Sequence, residues 1–97
     1  MQVSVRFFTI LREIVGKKEE TLQFPKKEKV TVSVVLEQLS EKYGKAFKEY
    51  VYDIANGEVK GFLQFLVNGR SVSTSGDLEF ELSDGDALAI LPPVSGG

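Results

Sequence analysis

Within 97 residues the hydrophobic period of this chain changes twice. "VSVRF" alternates Val3, Val5 and Phe7 with Ser4, Arg6 and Phe8, the period-2 pattern of a half-buried strand, which places Phe8 on the outer face. "VTVSVVLEQLSEKYG" then carries Val35, Leu36, Leu39 and Tyr43 at helical spacing. "LEFEL" and "ALAIL" return to alternation near the end. A strand set buries one face and an amphipathic helix one stripe, so each must cover the other. The expectation is an α+β domain in which one sheet is covered on one face by a helix.

The punctuation supports that order. "LREIVG" predicts a short helical turn closed by Gly16, and "ETLQF" a second strand through Leu22 and Phe24 that Pro25 interrupts. Thr31 is the expected N-cap of the main helix and Gly44 its stop, although no acidic residue stands three positions after Thr31 to complete a capping box. Val32, Val34 and Val35 lower helix propensity, so packing must stabilise this segment. "AFKEYV" has Phe47, Tyr50 and Val51 at spacing for a further short helix, and "ANGEVKG" reads as a loop. "FLQFLV" is nearly continuous in apolar residues, which predicts a strand buried on both faces. Asn68-Gly69 then signals a two-residue hairpin, with the return strand beginning over 70–72. "LEFEL" reads as a strand, "SDGD" as a turn and "ALAIL" as the last strand, with Leu88 and Ile90 inward and Leu91 outward.

Composition removes most enzyme chemistry. There is no Cys and no His, which excludes disulfides, thiolate nucleophiles, the usual zinc ligands and the side chain that titrates near neutrality. A net charge of -2 argues against nucleic acid or an anionic membrane as partner. "MQVSVRFFTI" lacks the layout of a signal peptide, and no run is long enough to span a membrane, so the expected location is cytoplasmic. No resident cofactor and no metal is expected.

The final residues, "PPVSGG", carry the chemistry that remains. Pro92 and Pro93 end the sheet and project the chain in extended form, followed by Val94, Ser95, Gly96 and Gly97. A tail without bulky side chains near its end enters a narrow channel of another protein, where a Cβ would collide. The functional atom is then the terminal carboxylate. Because a carboxylate is a poor electrophile, acyl transfer from it requires activation, for instance as a mixed anhydride with AMP, by a partner enzyme that uses ATP. The domain proper is expected over residues 1–91 and the tail over 92–97.

"LSDGDALAILPPVSGG", residues 82–97, resembles the C-terminal signature of the small, sulfur-carrying subunit of molybdopterin synthase. "VSVRFFTILREIVGKKEE" is similar to that family's opening strand and connector, and Val67-Asn68 matches its central "VN" position. The family is the MoaD/ThiS type of ubiquitin-like β-grasp carriers. The resemblance implies a β-grasp with one mixed sheet on a main helix and an extended C-terminal tail. It further implies that Gly97 is adenylated by an E1-like activating enzyme and converted to a thiocarboxylate through a sulfur-donating enzyme, with Gly96 beside it in the active site. The sulfur then passes to a pterin precursor in the large synthase subunit, in molybdenum or tungsten cofactor biosynthesis. By the same resemblance Phe8 and Leu91, with Pro92, Pro93, Val94 and Ser95, contact the activating enzyme and the large subunit. The chain is not catalytic alone. It departs from the family pattern in the length of "AFKEYVYDIANGEVKG" and "STSGDLEFEL", and no contact residue is carried across 71–80.

Two other readings stand beside this one. The same tail serves a ubiquitin-like protein modifier or a tRNA-thiolation carrier, or the domain is an interaction module whose tail does nothing. Elsewhere, Glu79/Glu81 and Asp84/Asp86 are expected in solvent rather than in a catalytic cleft, and Lys26, Lys27 and Lys29 form a solvated basic loop.

Overall fold

The computed structural model describes residues 1–60, 63–72 and 77–92. Strand β1 (Gln2–Phe7) is followed by helix α1 (Ile10–Val15), β2 (Glu19–Gln23), α2 (Val32–Tyr43), α3 (Lys45–Val51), β3 (Gln64–Val67), β4 (Arg70–Ser71), a 3-10 turn (Asp77–Glu79) and β5 (Ala87–Leu91). The strands form one mixed sheet in the order β2-β1-β5-β3-β4. β1 runs parallel to β5, and the other pairings are antiparallel. The first and last strands of the chain therefore lie side by side at the centre.

Strand parity builds the core. Val3, Val5 and Phe7 point to one face, as do Leu22, Phe65, Val67, Leu88 and Ile90, and the registers Val5↔Leu88, Phe7↔Ile90 and Phe65↔Ile90 align them in rows. Val32, Val35, Leu36 and Leu39 of α2, Phe47 and Val51 of α3, and Leu11 and Val15 of α1 complete the same cluster. The Tyr43 ring meets Phe7 edge-on at 6.3 Å between centroids, which ties the C-terminal end of α2 to that of β1.

The helix boundaries follow the expected chemistry. The Val34 amide donates to Thr31 Oγ1 at 3.3 Å, so Thr31 caps α2 although three valines populate its first turn. Gly16 closes α1 at φ 83°. The hairpin turn places Asn68 at φ 52° and Gly69 at φ 82°, the left-handed pair that a two-residue turn between twisted strands requires. Asn68 does more: its Nδ2 donates to Asp86 at 2.9 Å and its Oδ1 accepts from the Ala87 amide at 2.9 Å, which fastens the hairpin to the start of β5.

Two expectations are overturned. Residues 78–82 do not form a strand of the sheet. Asp77–Glu79 is a 3-10 turn, and Glu81 makes an isolated bridge with Thr31, with Leu82 N donating to Val30 O at 2.7 Å and Val32 N to Phe80 O at 3.1 Å. The segment pairs with the entry to α2, so only Leu82 is fully buried while Phe80 is 42% exposed. Strand β3 is not buried on both faces: Phe65 and Val67 are buried, Gln64 is exposed and Leu66 half-buried. The helices cover one face of the sheet, and the hydrophobic run continues onto the open one. Phe62 lies outside the described residues.

A carboxylate sits on the core side of the sheet. Glu20 has the same parity as Leu22 and is buried, and its carboxylate accepts from Lys17 Nζ at 2.6 Å and from Lys42 Nζ of α2. Burial by itself would raise this carboxyl, but the two lysine hydrogen bonds outweigh it and hold it at about 2.

Candidate functional site

The parallel pairing of β1 with β5 sends the ends of both strands to the same edge of the sheet. Arg6 stands opposite Ala89, and Phe7 opposite Ile90. Since Phe7 and Ile90 are core residues, parity turns Leu91 of β5 and Phe8, the first residue after β1, to the open face. Both are half-buried, and so is Pro92, where the tail begins. Leu66 lies opposite Ala89 on the neighbouring strand, and Gln64 opposite Leu91. Leu66, Ala89, Leu91 and Phe8 therefore form an apolar strip that leads to the root of the tail.

The rim of this strip is basic. Arg6, Arg12 and Lys18 surround Phe8 in a pocket of about 230 Å³, with Glu19 the single carboxylate among them. Arg6 Nε lies 3.8 Å from Glu19, both side chains in solvent, so this pair holds little energy and leaves the rim positive. The turn from β1 into α1 is strained: Thr9, a β-branched residue, adopts φ 47° and ψ -116°. Thr9 stands between Phe8, half-buried, and Ile10, 50% exposed.

Sequence parity anticipated Phe8 and Leu91 on the outer face, and both are half-buried there beside the ends of neighbouring strands. Ile10 and Leu66 were missed. Ile10 carried no signal beyond its place in a short amphipathic turn, and Leu66 was absorbed into a run read as doubly buried. Pro93, Val94, Ser95, Gly96 and Gly97, with the expected extended tail and terminal carboxylate, lie outside the described residues.

Other candidates resolve as structural. Asp84 accepts from the Gln2 amide at 2.7 Å, and Asp86 from the Ser83 amide at 2.7 Å, so both carboxylates fix turns. Glu79 and Glu81 are exposed on either side of Phe80. Among the described residues no cluster of three or more potential ligands could hold a metal ion, and no helix is long and apolar enough to cross a membrane. The strip's residues, Leu66, Ala89, Leu91 and Phe8, are apolar and carry no nucleophile or general base.

A central parallel pair of first and last strands, a mixed five-stranded sheet and one covering helical layer define the ubiquitin-like β-grasp. SAMP1 from Haloferax volcanii superposes on the chain with a TM-score of 0.82 at 27% identity, over 100% of both chains. A putative molybdopterin converting factor, subunit 1, from Pyrococcus furiosus gives a TM-score of 0.73 at 30% identity, over 97% of this chain and 99% of that one. In sequence, small archaeal modifier protein 3 of Haloferax volcanii is 36% identical over 97 residues, 100% of both chains. The sulfur carrier protein CysO of Mycobacterium tuberculosis is 30% identical, again over 100% of both. The ThiS family profile matches residues 5–97, and the chain belongs to this family of ubiquitin-like sulfur carriers.

Proposed function

We propose that the chain carries sulfur on its C-terminal glycine and delivers it within a molybdopterin synthase. The Gly97 carboxylate attacks the α-phosphorus of ATP in an E1-like activating enzyme, forming an acyl adenylate and releasing pyrophosphate. The outer sulfur of a persulfide on a sulfur-donating enzyme then attacks the acyl carbon and AMP departs. A thiol reduces the resulting acyl disulfide and leaves as a disulfide with the enzyme's cysteine, so that one carboxylate oxygen has been replaced by sulfur. The thiocarboxylate finally transfers that sulfur to a pterin precursor held by the large subunit, for molybdenum or tungsten cofactor assembly. This chain supplies no catalytic side chain and binds no cofactor of its own. Phe8, Leu91, Pro92 and the following Pro93, Val94 and Ser95 hold the partner, and Gly96 admits the terminus to a narrow active site.

The observation that carries this reading is the register Phe7↔Ile90, which brings the apolar strip and the root of a Gly-Gly tail to one edge. Docking on that strip aims the tail into the partner. The end-to-end likeness to the Pyrococcus furiosus protein supports the synthase role. A second reading, a modifier whose activated Gly97 is joined to target lysines, is favoured by the full-length relation to small archaeal modifier protein 3. A role in tRNA thiolation uses the same activated terminus.

The deciding experiment recovers an N-terminally tagged chain from its native cells for intact mass and denaturing gel, beside a chain lacking Gly97. A species heavier by the exchange of one oxygen for sulfur, absent from the truncated chain, is expected, together with co-purification of a larger pterin-binding subunit. A ladder of heavier adducts that vanishes without Gly97 favours the modifier. No sulfur-bearing species or heavier adduct of the full chain, with equal activities of the two chains, overturns the carboxylate chemistry.

A further inference from the structure

The helical layer carries a second surface that the tail chemistry leaves unused. Glu37 and Glu41 lie one turn apart on the exposed side of α2, and with the end of α3 and the turn that follows they enclose a groove of about 540 Å³. Tyr52 lines it, half-buried. At its lip Ile54 is 85% exposed. That isoleucine stands on a braced turn. Asp53 Oδ1 accepts from the Ala55 amide at 2.8 Å, and Gly57 N donates to Asp53 O at 2.7 Å. Asn56 Oδ1 accepts from the Glu58 amide at 2.9 Å, and a Tyr52↔Val59 bridge closes the base. The bonded backbone of this turn presents an apolar side chain to water at a fixed place in the fold, a feature suited to contact.

The groove is also charged in one sense. Glu37, Glu41, Glu49 and Asp53 line it against Lys48 alone, in a chain whose total charge is only -2. Lys45 offsets Glu49 in part, at 3.6 Å across exposed side chains. No ion pair is found for Glu37 or Glu41 among the described residues. Such a surface repels phosphate groups and anionic lipid, and it complements Lys or Arg.

We propose that this groove docks a basic amphipathic helix of a partner protein, whose apolar stripe covers Ile54 and Tyr52 while its flanking Lys and Arg meet Glu37, Glu41 and Asp53. The inward face of α2 packs on the sheet, so the groove lies on the opposite side of the molecule from Phe8 and Leu91. Both surfaces can be occupied together. One protein then holds the carrier by its helices while the tail works in another, and this holds whatever the tail delivers.

The test titrates the full ¹⁵N-labelled chain with a synthetic amphipathic helix bearing Leu on one stripe and Lys beside it, and with the same peptide carrying Glu for Lys. The expected result is amide shifts concentrated in 37–41 and 48–57, with Ala87–Leu91 unmoved and the Glu peptide inert. The double variant Glu37→Gln/Glu41→Gln and the single variant Ile54→Ser should each weaken binding at least tenfold, whereas Glu28→Gln, in an exposed turn elsewhere, should not. Shifts on the sheet face, scattered shifts, no binding or equal binding of the Glu peptide would overturn the proposal. So would sedimentation showing that the free chain self-associates through Ile54, because a second copy would then be the occupant.

Discussion

Phe7 and Ile90 are direct partners in the parallel β1–β5 ladder, and this pairing fixes where the tail leaves the fold. Both side chains are in the core, so the residues after them, Phe8 and Leu91, reach the open face together. The apolar strip and the residue from which the tail continues, Pro92, therefore share one end of the sheet, set by register alone.

The first prediction follows from that parity. Replacing Phe8 or Leu91 by Asp should weaken binding of the activating enzyme and the large subunit at least tenfold, while stability falls by no more than about 1 kcal/mol, since neither side chain is in the core. Calorimetric titration with each partner, beside urea unfolding of each variant, checks this. A loss of several kcal/mol with partner affinity intact would reassign both residues to the core.

Asn68 provides the second. Its positive φ suits Asn or Gly, and its amide makes two bonds to the start of β5. Asn68→Ala should cost about 2 kcal/mol through backbone strain and lost hydrogen bonds. Asn68→Gly, which restores the turn but not the bonds, should cost less. Equal midpoints for the two variants in denaturant would remove the backbone part of this account.

Glu20 gives a pH signature. Its carboxyl stands at about 2 in the fold against an ordinary 4.5, so the unfolded chain binds the proton more readily. The stabilisation is complete above pH 4.5 and fades as pH falls toward 2. Lys17 and Lys42 are each about half exposed, which places the contribution at roughly 1–3 kcal/mol near neutrality. Glu20→Gln should therefore be less stable than the parent by that amount at pH 7 and nearly equal to it at pH 2. A pH-independent difference in thermal or urea unfolding would count against the lysine clamp.

What was legible in the sequence is what local chemistry dictates. Alternation gave β1, β2 and β5, the Thr31 cap and the spacing of Leu36 and Leu39 gave α2, and Asn68-Gly69 gave the hairpin. The failures are tertiary. Leu78, Phe80 and Leu82 alternate as a strand would, but the open partner for their backbone is the entry to α2 rather than a sheet edge. Leu66 is apolar yet only half-buried on the open face, and periodicity cannot separate that placement from burial in the chain's own core. Glu20 reads as an ordinary polar position until α2 brings Lys42 over it. The groove beside Ile54 joins residues of two helices and a turn, and no single window of sequence contains it.

Thr9 carries the last prediction. A β-branched residue at φ 47° and ψ -116° holds strain of about 1–3 kcal/mol, and it lies between Phe8 and Ile10 at the edge where the tail begins. Glycine occupies positive φ without that strain, although it adds roughly 0.5–1 kcal/mol of unfolded-state entropy. Thr9→Gly should thus be net stabilising by about 1 kcal/mol, which raises the melting temperature of a domain this size by about 5 °C. The same change loosens the turn that orients Phe8 and Ile10, so partner affinity should fall severalfold even as stability rises. Thermal unfolding and partner titration of the variant measure the two effects separately. A lower melting temperature would show that the surrounding turn does not strain Thr9, and a stabilised variant with undiminished affinity would separate that strain from docking.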